Sequence, residues 1–262
     1  MKLAKAGFEY HIPVNPGLVI YSIEKAGRKC YKSQMSENTE EGAKFIKEVL
    51  IAHKHESVLE HASISLDITC DTGISHELVR HRLASFSQES TRYCNYSKDK
   101  FGHEITVIRP VWFNKITNER ADEIVRHAKA GFKDTLKTPM DDLEREFVAW
   151  YLSCENSEWE YFEMLENGAS PQQARDVLPK SLKTEIVMTA NIREWRHILK
   201  LRAAGEAGKP HPQMLEVMVP VLKDFQQKLP ALFEDIVPMD IPDGGYTWDP
   251  PLDDEDLITE ED

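Results

Sequence analysis

From His61 to Cys70 the chain alternates without a break, with Ala62, Ile64, Leu66, Ile68 and Cys70 set against Ser63, Ser65, Asp67 and Thr69. A period of two puts all the apolar side chains on one face of a strand and all the polar ones on the other. A helix cannot satisfy that pattern, so the segment predicts a half-buried strand, closed by the turn residues Asp71-Thr72-Gly73. Leu182 to Thr189 alternates in the same way. Leu18 to Tyr21 predicts a short earlier strand, and Ile105 to Ile108 another, ended by Pro110.

Helical patterning fills most of the remainder. Residues 40–54 place Ala43, Ile46, Val49, Leu50 and His53 on one side at helical spacing. Ser75 is the expected cap of a helix carrying Glu77, Arg80 and His81, with the residues beyond it in a loop. Residues 119–133 and 141–166 read as helices, the second ending at Asn167-Gly168. Ser170-Pro171-Gln172-Gln173 joins a cap, a first-turn proline and a third-position glutamine, so a helix starts there, carries Arg175 and stops near Pro179. Asn191 caps the next helix, and Pro212 opens the last long one. Strands and helices do not alternate as a doubly wound sheet requires, and neither a repeat nor a linker divides them. The expected fold is one α+β domain over residues 1–240. Residues 241–262 are a Pro/Gly stretch followed by acids, with seven carboxylates and no base in 252–262, and are expected to be mobile and solvated.

That tail carries more than half of the net charge of −13, so the body is only mildly acidic. A nucleic-acid surface needs a basic face, which such a body does not offer. No apolar run reaches the length of a membrane span. The amino terminus has no apolar stretch of the kind that directs secretion. Cys30, Cys70, Cys94 and Cys154 lie far apart with no Cys-x-x-Cys pair, the pattern of reduced thiols in a cytoplasmic protein.

Within this chain, Arg80 to Arg92 packs three arginines, a histidine and three serines into thirteen residues. The guanidinium fork suits phosphate and other flat anionic acceptors. Taken singly, exposed arginines form ion pairs worth only ~0–1 kcal/mol. Grouped with hydroxyls, they describe an anion receptor. His53 to His61 is dense in potential metal ligands, but the His-Glu-x-x-His zinc pattern fails at Leu59, and no metal is expected. His53, His55, Glu60 and His61 still leave open a metal-dependent phosphohydrolase with the arginines on phosphate. An RNA-binding module built on the arginines is a third reading, opposed by the acidic body. In 191–202, Trp195, Ile198, Leu199 and Arg202 fall at i, i+3, i+4 and i+7, so Arg202 closes an apolar stripe. Arg193 and His197 are i, i+4 partners on another face.

Arg80-His81-Arg82 followed by Ser85, Ser90 and Arg92 resembles the RHRxxSxxxxSxR signature of flavin-dependent thymidylate synthases. The stretch His55-Glu56-Ser57 with Glu60-His61, and Ala174-Arg175 with Leu178-Pro179, are similar to further stretches of that family. The resemblance implies a mixed or antiparallel sheet packed with long helices. It implies reductive methylation of dUMP to dTMP, with 5,10-methylenetetrahydrofolate as carbon donor, FAD as hydride carrier and NADPH as reductant. It places Glu77, Arg80, Gln88, Glu89, Ser90, Thr91, Arg92, Arg175 and Arg202 on dUMP. Ser57, Arg80, His81, Arg82, Gln88, Asn191, Arg193 and His197 fall to FAD. Arg202 has the catalytic role, beside the uracil, where it favours ionisation of N3. No enzyme nucleophile is needed, so Cys94 is expected to be structural. A homotetramer with sites shared between subunits is implied as well. Four positions depart from the common family pattern: Glu77 for glutamine, Gln88 for glutamate, Thr91 for glycine and His197 for asparagine.

Overall fold

The computed structural model describes residues 1–131 and 138–241; the predicted acidic tail lies outside the described residues. Its centre is a four-stranded antiparallel sheet of β2 (Gly7–Tyr10), β3 (Ser63–Asp71), β6 (Lys183–Asn191) and β4 (Ser85–Gln88), in the order β2-β3-β6-β4. The two alternating segments are its paired middle strands, in register from Ser63 with Asn191 to Asp71 with Lys183. Ile64, Leu66, Ile68 and Cys70 of β3 are buried, as are Ile186, Met188 and Ala190 of β6. The alternation therefore reports a sheet with one face dry. Each buried Ile or Leu contributes about 1.5–3 kcal/mol relative to an exposed one. A two-stranded parallel pair, β1 (Lys2–Ala4) with β5 (Thr106–Ile108), completes the strands.

Two helices cover the dry face. α7 (Ile192–Arg202) follows β6 directly, and α8 (Pro212–Lys228) is buried along most of its length. Trp195 of α7 is fully buried and donates its indole N–H to the Ile64 carbonyl at 3.0 Å, which locks helix to strand. A second core cluster joins α4 (Asn118–Lys129) to α5 (Asp142–Glu166). A third gathers Tyr96, Val107, Cys154, Tyr161, Ala174 and Leu182.

Leu18 to Tyr21 is not a strand but part of α1 (Pro16–Tyr31). Asn15 caps that helix by accepting from the Leu18 amide at 3.1 Å, and Pro16 sits in the first turn, where its missing N–H costs nothing. The apolar run splits by helical angle: Val19 and Ile20 turn inward, while Leu18 and Tyr21 face outward. Residues 40–51 are helical as expected, α2 (Thr39–Phe45) running into a wider π-type turn over Ile46–Ile51, but the helix stops short of 54, where the chain turns through Lys54 at positive φ.

Asp71-Thr72-Gly73 does not simply end β3. Asp71 itself caps α3 (Thr72–Leu78), its carboxylate accepting from the Ile74 amide at 2.9 Å, and Ser75 lies inside that helix. The segment expected to be a loop after it contains β4, an edge strand paired to β6 from Ser85–Thr189 to Gln88–Ile186. Arg175 lies just past α6 (Pro171–Ala174), in a single 3₁₀ turn.

Candidate functional site

The end of β6 and the end of α3 meet at the start and finish of α7. Asn191 terminates β6 and caps α7, accepting from the Glu194 amide at 2.9 Å. Arg202, the last residue of α7, returns to α3 and to the arginine-rich segment. Its Nη1 donates to Glu77 Oε2 at 2.7 Å and its Nε to His81 Nε2 at 3.2 Å. His81 is 6 % exposed, with Nδ1 3.7 Å from Glu194 Oε1 and its ring edge-on to His197. Burial, then the Arg202 and His197 charges, pushes its pKa from 6.5 down to about 4. The ring is therefore neutral near pH 7, with Nε2 as acceptor and the proton on Nδ1 toward Glu194. Burial in turn raises the Glu194 carboxyl above its usual range.

The depressed His81 pKa ties folding stability to pH. The unfolded chain protonates this ring near 6.5 and the folded chain near 4. Between those values the unfolded state binds more protons, so stability is complete above 6.5 and is lost as pH falls toward 4. His81→Gln keeps an acceptor for Arg202 and is expected to flatten that segment of the curve, read from urea midpoints at about pH 4.5 and about pH 7.

Beside this junction lies a cleft of about 720 Å³ lined by Arg80, His81, Arg82, Asn191, Arg193, His197 and Lys200, with Glu56, Glu60 and Glu194. Among the described residues, Arg80, Arg82 and Lys200 have no carboxylate within ion-pair distance. Unpaired cations converging on one hollow are what an anionic ligand requires. Arg193 is held by Glu60 at 2.6 Å and Glu56 at 3.7 Å. Ser57 lines an adjoining hollow of about 550 Å³ that shares Glu56 and Arg193 with the cleft. The sequence reading missed Lys200 and Glu194. The signal was present: Arg193, His197 and Lys200 form an i, i+4, i+7 polar stripe beside the apolar one. Arg196 also lines the cleft, but its fork is taken by Asp235 at 2.7 and 2.6 Å.

The second half of the arginine-rich segment lies at the other end of β4. Gln88 donates to the Ser75 and Thr184 hydroxyls, each at 3.0 Å, tying the edge strand to α3 and β6. The chain then turns, with the Tyr93 and Cys94 amides on the Ser90 carbonyl. Arg175 reaches this turn, its Nη1 3.5 Å from the Thr91 hydroxyl. Arg92 lies over the Tyr93 ring. Glu89 accepts from the Tyr96 hydroxyl at 3.0 Å. One chain therefore gathers Arg80, His81, Arg82, Asn191, Arg193, His197 and Arg202 at one end of β4. Ser90, Thr91, Arg92 and Arg175 assemble at the other.

His53 and His55 are neighbours, with His55 paired to the Tyr31 hydroxyl at 2.6 Å. Among the described residues no group of three His, Cys, Asp or Glu side chains is placed to hold a metal ion.

Residues 20–231 match the sequence family described as thymidylate synthase complementing protein. The chain belongs to this family. The matched span runs from within α1 into α9 (Pro230–Phe233) and so contains both ends of β4 and all of α7. Relatives named flavin-dependent thymidylate synthase include one from Mycobacterium tuberculosis H37Rv, 30% identical over 88% of this chain and 84% of its own length. Another, from Corynebacterium aurimucosum, is 31% identical over 85% of this chain and 82% of its own. The thymidylate synthase complementing proteins are an enzyme family, and this chain is an enzyme of it with a mixed helix-and-sheet fold.

Proposed function

We propose that this enzyme makes thymidylate, converting dUMP to dTMP with 5,10-methylenetetrahydrofolate as carbon donor, FAD as hydride carrier and NADPH as reductant. The observation that carries this reading is the convergence of Arg202 on His81 and Glu77, which joins the arginine-rich segment to the last helical turn of α7. The net change moves a methylene carbon to C5 of the uracil, adds a hydride to make it methyl, and releases the C5 hydrogen as a proton. FAD, when bound and reduced by NADPH, would supply that hydride, and the carbon donor would leave as tetrahydrofolate.

The chain's own residues fit such a ligand. Its diphosphate suits the unpaired Arg80, Arg82 and Lys200, and its length suits a cleft that continues into the hollow at Ser57. Asn191, Arg193 and His197 would orient it. The dUMP phosphate would take Arg92 and Arg175 with the Ser90-Thr91 turn, each arginine–phosphate bond contributing roughly 1.5–3 kcal/mol. Arg202 would lie against the uracil and favour the N3 anion, making C5 more electron-rich. A shift of two pKa units is about 2.7 kcal/mol, roughly a hundredfold in population.

Leu83 and Tyr93, 79% and 78% exposed, flank β4 beside the two half-sites. In the homotetramer that the family resemblance implies, with neighbouring subunits completing each site, these side chains would be available to a subunit contact. Cys94 has a thiol driven up in pKa by burial and then by Glu89, the opposite of an activated nucleophile. Cys94→Ala is therefore expected to keep kcat within about threefold; total loss would replace this mechanism with a thiolate attack. The functional reading is tested by the absorbance spectrum of purified protein incubated with FAD and desalted. Flavin bands at near one per chain are expected. A colourless protein holding zinc or manganese would favour the phosphohydrolase instead.

A further inference from the structure

Glu89 stands next to the phosphate arm Ser90-Thr91-Arg92, where a carboxylate opposes a dianionic ligand. Its contacts turn the charge elsewhere. The carboxylate accepts from the Tyr96 hydroxyl at 3.0 Å. Tyr96 and Cys94 line, with Glu89, a hollow of about 460 Å³ separate from the cleft. The Glu89 amide donates to the Glu185 carbonyl of β6 at 2.9 Å, so backbone and side chain are both held.

Tyr96 is itself anchored. It is 5% exposed, its ring lies 5.3 Å from Phe101 and 5.8 Å from Tyr161 of α5, and its amide donates to the Tyr161 hydroxyl at 3.4 Å. Burial, followed by the Glu89 charge, raises the Tyr96 hydroxyl pKa, so it remains a donor across the working range. Tyr96, Tyr161 and Ala174 belong to one core cluster, and Ala174 directly precedes Arg175. One packed block therefore carries Arg175 and, through Tyr96, grips the residue that precedes the turn.

We propose that Glu89 is a positioning residue and not a nucleotide ligand: its bond to Tyr96 sets the Ser90–Arg92 turn against Arg175 so that both close on one phosphate. The inference rests on dUMP being the substrate. It also gives the Gln88-Glu89 order a physical sense. The neutral amide faces the α3 and β6 hydroxyls, and the charge is bound where the Tyr96 hydroxyl can solvate it.

The test is calorimetric titration of the FAD-loaded, full-length protein with dUMP and, separately, with deoxyuridine. Tyr96→Phe keeps the ring packing and removes the donor. It is expected to weaken dUMP binding about tenfold, the effect of one charge-assisted hydrogen bond, and to leave deoxyuridine binding unchanged. Glu89→Ala should match it, Glu89→Gln should retain most of the affinity, and the double variant E89A/Y96F should be no weaker than either single one. Wild-type affinity in Tyr96→Phe, equal losses for both ligands, or additive losses in the double variant would overturn the proposal. A wild-type protein that binds neither ligand would instead overturn the substrate assignment, and this inference with it.

Discussion

Arg202→Lys is expected to lower kcat about a hundredfold while FAD affinity stays within about twofold. The arginine fork reaches two acceptors at once, Glu77 Oε2 at 2.7 Å and His81 Nε2 at 3.2 Å, and still has donors free for a planar ligand. An ammonium on a flexible stem keeps the charge but cannot hold both acceptors and present a flat face. The loss should fall on kcat, because the N3 anion is favoured at the reacting stage and not in the initial encounter. FAD affinity should hold, since the unpaired cations of the cleft, Arg80, Arg82 and Lys200, are untouched. Steady-state turnover with flavin fluorescence titration separates the two quantities. Unchanged kcat would remove the role given to Arg202, and loss of FAD would make it a flavin ligand.

The double variant R92A/R175A is expected to show the complementary pattern. Each arginine contributes roughly 1.5–3 kcal/mol to a phosphate, so together they are worth about 3–6 kcal/mol, or 10²–10⁴ in KM for dUMP. Arg175 reaches the turn that carries Arg92 through its Thr91 contact, so the two losses overlap and the combined loss should fall toward the lower end of that range. At saturating dUMP, kcat should fall far less, because the phosphate is bound alike in ground and transition states. A wild-type KM in the double variant would place the phosphate elsewhere.

The strands that carry the site were readable where one face is dry. β3 and β6 alternate because their apolar sides pack under Trp195 and α8, and that requirement is written residue by residue. α1 was misread because four consecutive apolar residues carry no period of their own, and Asn15-Pro16 had to be weighed as a helix start. β4 escaped because Ser85, Ser87 and Gln88 are polar and exposed; its pairing is supplied by β6, far away in sequence. The arginine cluster was visible as an anion receptor, but its division between the two ends of β4 depends on that pairing. The partners of Arg202 were equally hidden. Glu77 and Arg202 are 125 residues apart with β4 and β6 between them, and the return of α7 onto α3 brings them together. Lys200 lies on the polar stripe beside the apolar one on the same helix, and a lone lysine there reads equally well as a solvated face.

If the two arginine groups serve one reaction on dUMP, flavin oxidation and dTMP formation must be coupled. The most direct measurement is anaerobic reoxidation of the reduced protein-bound flavin, followed by absorbance with dTMP quantified at the end. Reoxidation that needs both dUMP and methylenetetrahydrofolate, and yields dTMP in proportion to flavin, is the predicted result. Flavin that stays reduced with both present, or reoxidises without forming dTMP, would contradict it.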